Sequence, residues 1–279
     1  MTDLDLADKA LIALYLLTGL LLPVGVLLFR SARRPENYER GGRVMSEGYG
    51  LLDVFGIGVL WVIFSALALL PIFAAPPASV NITPGAILGS SAALGVVGVL
   101  PFALVLGRGQ ILERFGLYEI HWKRVILSTF LGLISIYAVV AAINLAGFPR
   151  FLESVFGELD LQEAVRMLAE AKDKNVKIAM VISAVILAPL IEEVIFRGYI
   201  YPAMKQLTHT VFAIVFSSLF FSLVHGNVLN SLSLFVVGAA LAIVYEKSGS
   251  LVAPIALHAV FNGISVCAIL FYPEAVLNQ

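Results

Sequence analysis

Three ionisable residues stand together in an apolar stretch, Ala188-Pro189-Leu190-Ile191-Glu192-Glu193-Val194-Ile195-Phe196-Arg197-Gly198. An ionised side chain at the centre of a membrane helix costs roughly 3 kcal/mol on insertion-based scales. Two carboxylates and a guanidinium in such a place point to a use. Two further polar pairs follow on later apolar segments: Phe221 with His225, and His258 with Asn262.

Helical spacing assigns partners among them. Glu193 and Arg197 are i,i+4, share a face and can neutralise one another. Glu192 is rotated by about 100° and has no cation on its own helix. His258 and Asn262 are i,i+4, as are Phe221 and His225. One unpaired carboxylate, two imidazoles and one carboxamide can therefore converge from three helices. Pro189 and Pro254 precede Glu192 and His258 by three and four residues, and each is expected to kink its helix and open space at the site.

The chemistry these groups suit is activation of water. An apolar site makes a carboxylate more basic, so Glu192 qualifies as a general base. One histidine can orient the water; the other, with the asparagine amide, can donate to a developing oxyanion. No Gly-x-Ser-x-Gly elbow accompanies Ser222. Cys267, nine residues beyond His258, falls on the opposite side of that helix and reads as a small packing residue. Bland readings stand beside these. Glu193 with Arg197 can be architectural, and a membrane histidine or asparagine can serve as interhelical glue. A catalytic zinc held by Glu192, His225 and His258 is also open, although no His-Glu-x-x-His is present.

The elements that must position these groups follow from composition. Of 279 residues, 60% are hydrophobic and 13% charged, and mean hydropathy is +0.96. Soluble domains are about 45–50% apolar and about 25% charged, so the chain is read as an integral membrane protein. A net charge of −1 gives no sign of a nucleic-acid partner. One cysteine permits no internal disulfide. Apolar runs near the roughly 20 residues needed to cross a bilayer recur at Ala10–Phe29, Val54–Ala75, Gly85–Gly107, Val125–Gly147, Ile178–Tyr201, Val211–His225, Leu229–Tyr245 and Leu251–Phe271. The sixth and seventh are short. The first reads as a retained span rather than a removed signal, because Lys9 is the only base before it. No repeat or linker divides the chain, so residues 1–279 are expected to form one all-α, polytopic bundle, with the motifs in 178–271.

The loops set an orientation. Arg30, Arg33, Arg34, Arg40 and Arg43 lie in one loop, Arg108, Arg114, Lys123 and Arg124 in another, with Lys205 and Lys247 on the same side. The positive-inside rule places these in the cytoplasm and both termini outside. The segment 148–177, with five basic residues, argues the other way. Within it, Leu161, Val165, Leu168 and Ala169 predict an amphipathic helix over 160–173, lying at the interface or acting as a lid. The stretch 113–121 is expected to be a second interfacial piece. His121 and His209 read as ordinary surface residues.

Glu192-Glu193-x-x-x-Arg197, Phe221-x-x-x-His225 and His258-x-x-x-Asn262, in that order on three late spans, resemble the CAAX prenyl protease and bacteriocin-processing family, also called the Abi family of intramembrane endopeptidases. The resemblance covers the last third of the chain; the first four spans carry no signature. It implies that Glu192 is the catalytic glutamate, that His225 works with it on the water, and that His258 and Asn262 support the oxyanion. Glu193, Arg197 and Phe221 would then be supporting residues. The family is often described as metalloproteases; a metal-free mechanism, with no cofactor, is the reading preferred for this chain. It further implies a membrane-associated peptide or protein as substrate. Eukaryotic relatives trim the last three residues of prenylated CAAX proteins; prokaryotic ones are linked to peptide maturation and bacteriocin immunity. Short loops and Ala/Gly/Leu/Val-rich spans fit a prokaryotic member in the cell membrane. A non-catalytic scaffold on the same fold and a proton-coupled transporter remain as alternatives, the latter without the paired repeats transporters often show.

Overall fold

The computed structural model describes residues 4–31, 42–73, 82–106, 111–157, 159 and 161–277. These form twelve helices: α1 Leu6–Ser31, α2 Leu51–Phe73, α3 Pro84–Leu106, α4 Ile111–Arg114, α5 Trp122–Leu145, α6 Phe148–Phe156, α7 Glu163–Glu170, α8 Lys174–Leu207, α9 Thr210–Leu223, α10 Ser231–Ser248, α11 Val252–Phe271 and α12 Pro273–Leu277. Helices are what an apolar chain must form in lipid, where no water can satisfy backbone groups.

Among the described residues each of the eight expected spans is helical apart from turns at some of their ends, and the protein is a polytopic, all-α bundle in the membrane. Six helices (α1, α2, α5, α8, α10 and α11) are long and apolar enough to cross a bilayer. Helix α9, at 14 residues, is about 21 Å long, short of a hydrocarbon core of about 30 Å. Its length is explained by its place. Ala213, Phe216, Ser217, Phe220 and Phe221 are all buried, and α1, α8 and α10 pack against it. Helix α9 is a mostly buried post of the bundle, with only Val211 and Val215 exposed among its described residues. Helix α10 in turn packs on α5 and α11, α3 on the first half of α8, and α2 bridges α1 to α3.

Small residues set the closest approaches, as expected where dispersion rather than water drives helix association. A Cβ on Gly238 of α10 would lie 3.0 Å from the Ser218 Cα of α9. One on Gly132 of α5 would meet the Val244 and Leu257 side chains at 2.6 and 2.8 Å.

Helix α8 runs for 34 residues, well past the expected Ile178–Tyr201, and is interrupted by two π turns, Ser183–Leu187 and Phe196–Ile200. Proline explains both. The N–H of Ala188 bonds the Ser183 carbonyl, and that of Tyr201 bonds Phe196, each five residues back. Pro189 and Pro202 follow directly. Each lacks an N–H, and its ring would clash with the carbonyl four residues earlier, so the helix widens there. The space expected at Pro189 is therefore a π turn. Pro254 lies in the first turn of α11, where its missing N–H is an orphan in any case. The expected kink before His258 is not formed.

Other expectations shift. The amphipathic helix is shorter, Glu163–Glu170, and its Leu168 packs with Met180, Val266 and Ile269; Asp160 lies outside the described residues. A second amphipathic helix, α6, was not foreseen. It buries Leu152 and exposes Phe151 and Val155. In 113–121 the reading was wrong for Phe115: it is buried and lies against Gly198, and its carbonyl accepts from the Leu251 N–H at 2.9 Å. Cys267 is exposed rather than packed. His121 is exposed as expected. His209 is not a plain surface residue, because its Nδ1 caps α9 by accepting from the Phe212 N–H at 3.2 Å. Arg33, Arg34, Arg40 and Arg108 lie outside the described residues.

Candidate active site

Helices α8, α9, α10 and α11 meet around Glu193. Its side chain is fully buried, and its Oε1 accepts from Arg197 Nη1 at 2.9 Å, completing the i,i+4 pair. The same oxygen is 2.9 Å from His258 Nδ1. A carboxylate can only accept, so Nδ1 carries the proton. Arg197, also fully buried, donates through Nη2 to the Gly238 carbonyl at 2.8 Å. Its guanidinium carbon stands 4.7 Å from the centre of the Phe221 ring, a cation–π distance. The missing side chain at Gly238 matters here: α10 comes close enough to α9 for its backbone to serve as a ligand of Arg197.

Glu192 stands apart, as the rotation between adjacent helical residues requires. Its side chain keeps 26% of its surface accessible, against none for Glu193. Its Oε2 is 3.9 Å from His258 Nε2, too far for a direct hydrogen bond. Among the described residues that oxygen is buried without a partner. His258 is thus held by Glu193 on one nitrogen and turns the other toward Glu192. This is the arrangement by which a second carboxylate fixes an imidazole's tautomer and direction.

His225 lies just past the end of α9, in the turn closed by the Gly226 N–H to the Leu223 carbonyl at 2.9 Å. Its Nδ1 lies 2.8 Å from the Phe221 carbonyl. A carbonyl can only accept, so Nδ1 is the donor and Nε2 is free to accept. The Phe221 ring contacts both imidazoles, with centroids 4.8 Å from His225 and 5.7 Å from His258. Phe221 is thus the wall between the two histidines and the floor under Arg197.

Asn262 reaches across to α8. Its Nδ2 donates to the Ala184 carbonyl at 2.8 Å. Ala184 lies in the first π turn. The N–H four residues on, from Ala188, is committed to Ser183, and the residue five on is Pro189. Asn262 supplies the donor that Pro189 lacks, which ties α11 to α8 about two turns before the glutamates. Tyr49 does the same at the second π turn: Pro202 has no N–H for the Gly198 carbonyl, and the Tyr49 hydroxyl donates to it at 3.1 Å.

Among the described residues, no three His, Cys, Asp or Glu side chains group closely enough to hold a metal ion. Glu192, His225 and His258 therefore do not form a ready zinc cage.

A second buried polar cluster escaped the sequence reading. Lys205 Nζ donates to Glu246 Oε1 at 2.8 Å and to the Val44 carbonyl at 3.1 Å. The Tyr201 hydroxyl donates to Glu246 Oε2, and the Val44 N–H to Glu246 Oε1 at 3.3 Å. Lys205 had been read only as a loop charge. The i,i+4 spacing of Tyr201 and Lys205 was a usable signal of a shared polar face.

Comparison with known proteins adds to the geometry. Residues 174–264 match the family model described as type II CAAX prenyl endopeptidase Rce1-like. That span contains Glu192, Glu193, Arg197, Phe221, His225, His258 and Asn262, so the resemblance drawn from the motifs is met by an independent match. The chain is also similar to the Bacillus subtilis (strain 168) protein described as "Putative membrane peptidase YdiL", at 32% identity over 83 residues, 30% of this chain. The matched stretch is 34% of that protein's length, so the chain spans about a third of it. No solved structure matches.

Proposed function

We propose that this protein is an intramembrane endopeptidase of the CAAX-protease-like kind, cutting a peptide bond of a membrane-associated peptide or protein. The observation that carries the proposal is the division of labour between the two glutamates. Glu193 is committed to Arg197 and His258, while Glu192 Oε2 is buried without a partner beside His258 Nε2. The family match over the same residues supports it.

In the proposed reaction Glu192 takes a proton from a water, and the resulting hydroxide attacks the scissile carbonyl carbon. His225 accepts from that water through Nε2 and aims it. Negative charge collects on the carbonyl oxygen. His258, protonated on both nitrogens and held by the Glu193 carboxylate, donates to that oxygen through Nε2. Asn262 offers the N–H that Ala184 does not use. Collapse breaks the C–N bond, and the proton on Glu192 passes to the departing amine. Preorganised donors of this kind act most strongly where water is excluded.

Comparative membrane peptidomics of wild type against Glu192→Ala is the test. Trimmed termini or peptides present only with wild type are expected; identical peptide sets would reject the proposal. On the purified protein, cleavage that survives strong chelators is expected. Loss on chelation, with restoration by zinc alone, would replace the metal-free route with a zinc one.

A further inference from the structure

The face formed by α5 and α10, away from the two glutamates, carries a cavity of about 540 Å3. Its walls run from Arg124 to Val139 on α5 and from Val236 to Lys247 on α10. Gly132, Ile136 and Val244 lie among the wall residues, and all three are buried. The wall is apolar by construction as well as by composition. The hydroxyl of Ser128 donates to the Arg124 carbonyl and that of Ser135 to the Leu131 carbonyl at 2.8 Å. Both serines thus satisfy their own helix and offer their protons to nothing in the groove.

The two helices meet the cavity in opposite directions. The first turn of α5 and the last turn of α10 therefore share one end, and that end is cationic. Arg124 and Lys247 are exposed there. Arg43 joins them, held in place by its Nη1 donating to the Lys247 carbonyl. Among the described residues no Asp or Glu lines the cavity; Glu246, next in sequence to Lys247, turns inward to Lys205 and Tyr201. From Val236 to Lys247 is about 16 Å at the helical rise of 1.5 Å per residue. That is close to the depth of one leaflet, half of a hydrocarbon core of about 30 Å.

We propose that this groove is a binding site for an anionic phospholipid, its phosphate on Arg43, Arg124 and Lys247 and an acyl chain between α5 and α10. Charge complementarity selects this occupant. A neutral isoprenoid has no use for three cations at the mouth, and the carbonyls of a peptide backbone would find no donor along the wall, where Ser128 and Ser135 have given their protons to their own helix. The basic end also lies on the side that the Lys/Arg pattern assigns to the cytoplasm, where membranes concentrate anionic lipid.

The test is lipid retention by the purified full chain, measured by native mass spectrometry with phosphatidylglycerol and phosphatidylcholine of identical acyl chains. Wild type is expected to retain phosphatidylglycerol over phosphatidylcholine by about tenfold or more. The double variant Arg124→Gln/Lys247→Gln should bring that ratio near one, and Arg124→Lys/Lys247→Arg should keep it. Ala239→Phe, which fills the wall, should reduce retention of both lipids. Excess glycerol phosphate should leave bound phosphatidylglycerol in place. Equal retention of the two lipids by wild type would overturn the site. So would an unchanged ratio in the Gln pair, or displacement by glycerol phosphate, which would show a headgroup site without a chain.

Discussion

Two polar clusters are buried in this bundle, and they are built differently. Around Lys205 and Glu246, the ammonium reaches a carboxylate and a backbone carbonyl, and both carboxylate oxygens receive donors. Around Glu192, Glu193 and Arg197, three polar atoms are left without partners among the described residues: Glu192 Oε2, Glu193 Oε2 and Arg197 Nε. A polar group buried without a hydrogen bond costs about 1–3 kcal/mol. A cluster serving only the fold has no reason to carry that cost, and the first does not. The second carries it beside two imidazoles, and this difference supports the active site proposed there.

Substitutions can break the contrast. The largest expected effect is Glu192→Gln, which should lower cleavage by about 10²–10⁴-fold, the usual share of a general base, while melting temperature holds. Lys205→Met should do the reverse. Removing one partner of a buried pair costs about 3–5 kcal/mol, so its melting temperature should fall by many degrees while cleavage per folded molecule stays near wild type. If Lys205→Met folds normally and is inactive, the division of roles is wrong. Gly238→Ala sharpens the contrast from the packing side. Its Cβ would press on α9 backbone and on Phe221, and overpacking of this kind costs about 1–3 kcal/mol. It should reduce both stability and cleavage, because the Arg197 acceptor moves with α10. Asn262→Ala should cost about 1–3 kcal/mol by leaving the Ala184 carbonyl bare, read by chemical denaturation. A fall in cleavage per folded molecule larger than that loss of stability explains would separate an oxyanion role from bracing. His209→Ala, which removes a helix cap and a ring contact with Phe29 far from the glutamates in sequence, should cost about 1 kcal/mol for the cap and leave cleavage unchanged.

The parts of this arrangement legible in the sequence are those that depend on spacing within one helix. The Glu193–Arg197 pair, the isolation of Glu192 and the shared face of Phe221 and His225 all follow from 3.6 residues per turn. The span pattern was readable for the same reason: membrane-length apolar runs leave the backbone no option but helix. What was not legible depends on contacts between helices. His258 bonds Glu193, which no spacing connects. Asn262 also repairs a carbonyl orphaned by Pro189 on another helix, a contact that its spacing to His258 does not reveal. Pro254 is expected to kink its helix, although at three residues past the start of the expected span, Leu251, it already falls in a first turn where its missing N–H costs nothing. Glu246 went unread because the seventh run was closed at Tyr245, one residue before it.

The central claim is that Glu192, the carboxylate left open, does the chemistry while Glu193 holds the frame. The most direct measurement uses the terminus that peptidomics finds trimmed only with wild type. A synthetic peptide carrying that bond, placed in liposomes with purified wild type or Glu192→Gln, gives a cleavage rate and a melting temperature on the same samples. The account predicts cleavage by wild type, a loss of about 10²–10⁴-fold in Glu192→Gln, and matching melting temperatures. Cleavage by Glu192→Gln at the wild-type rate would contradict it.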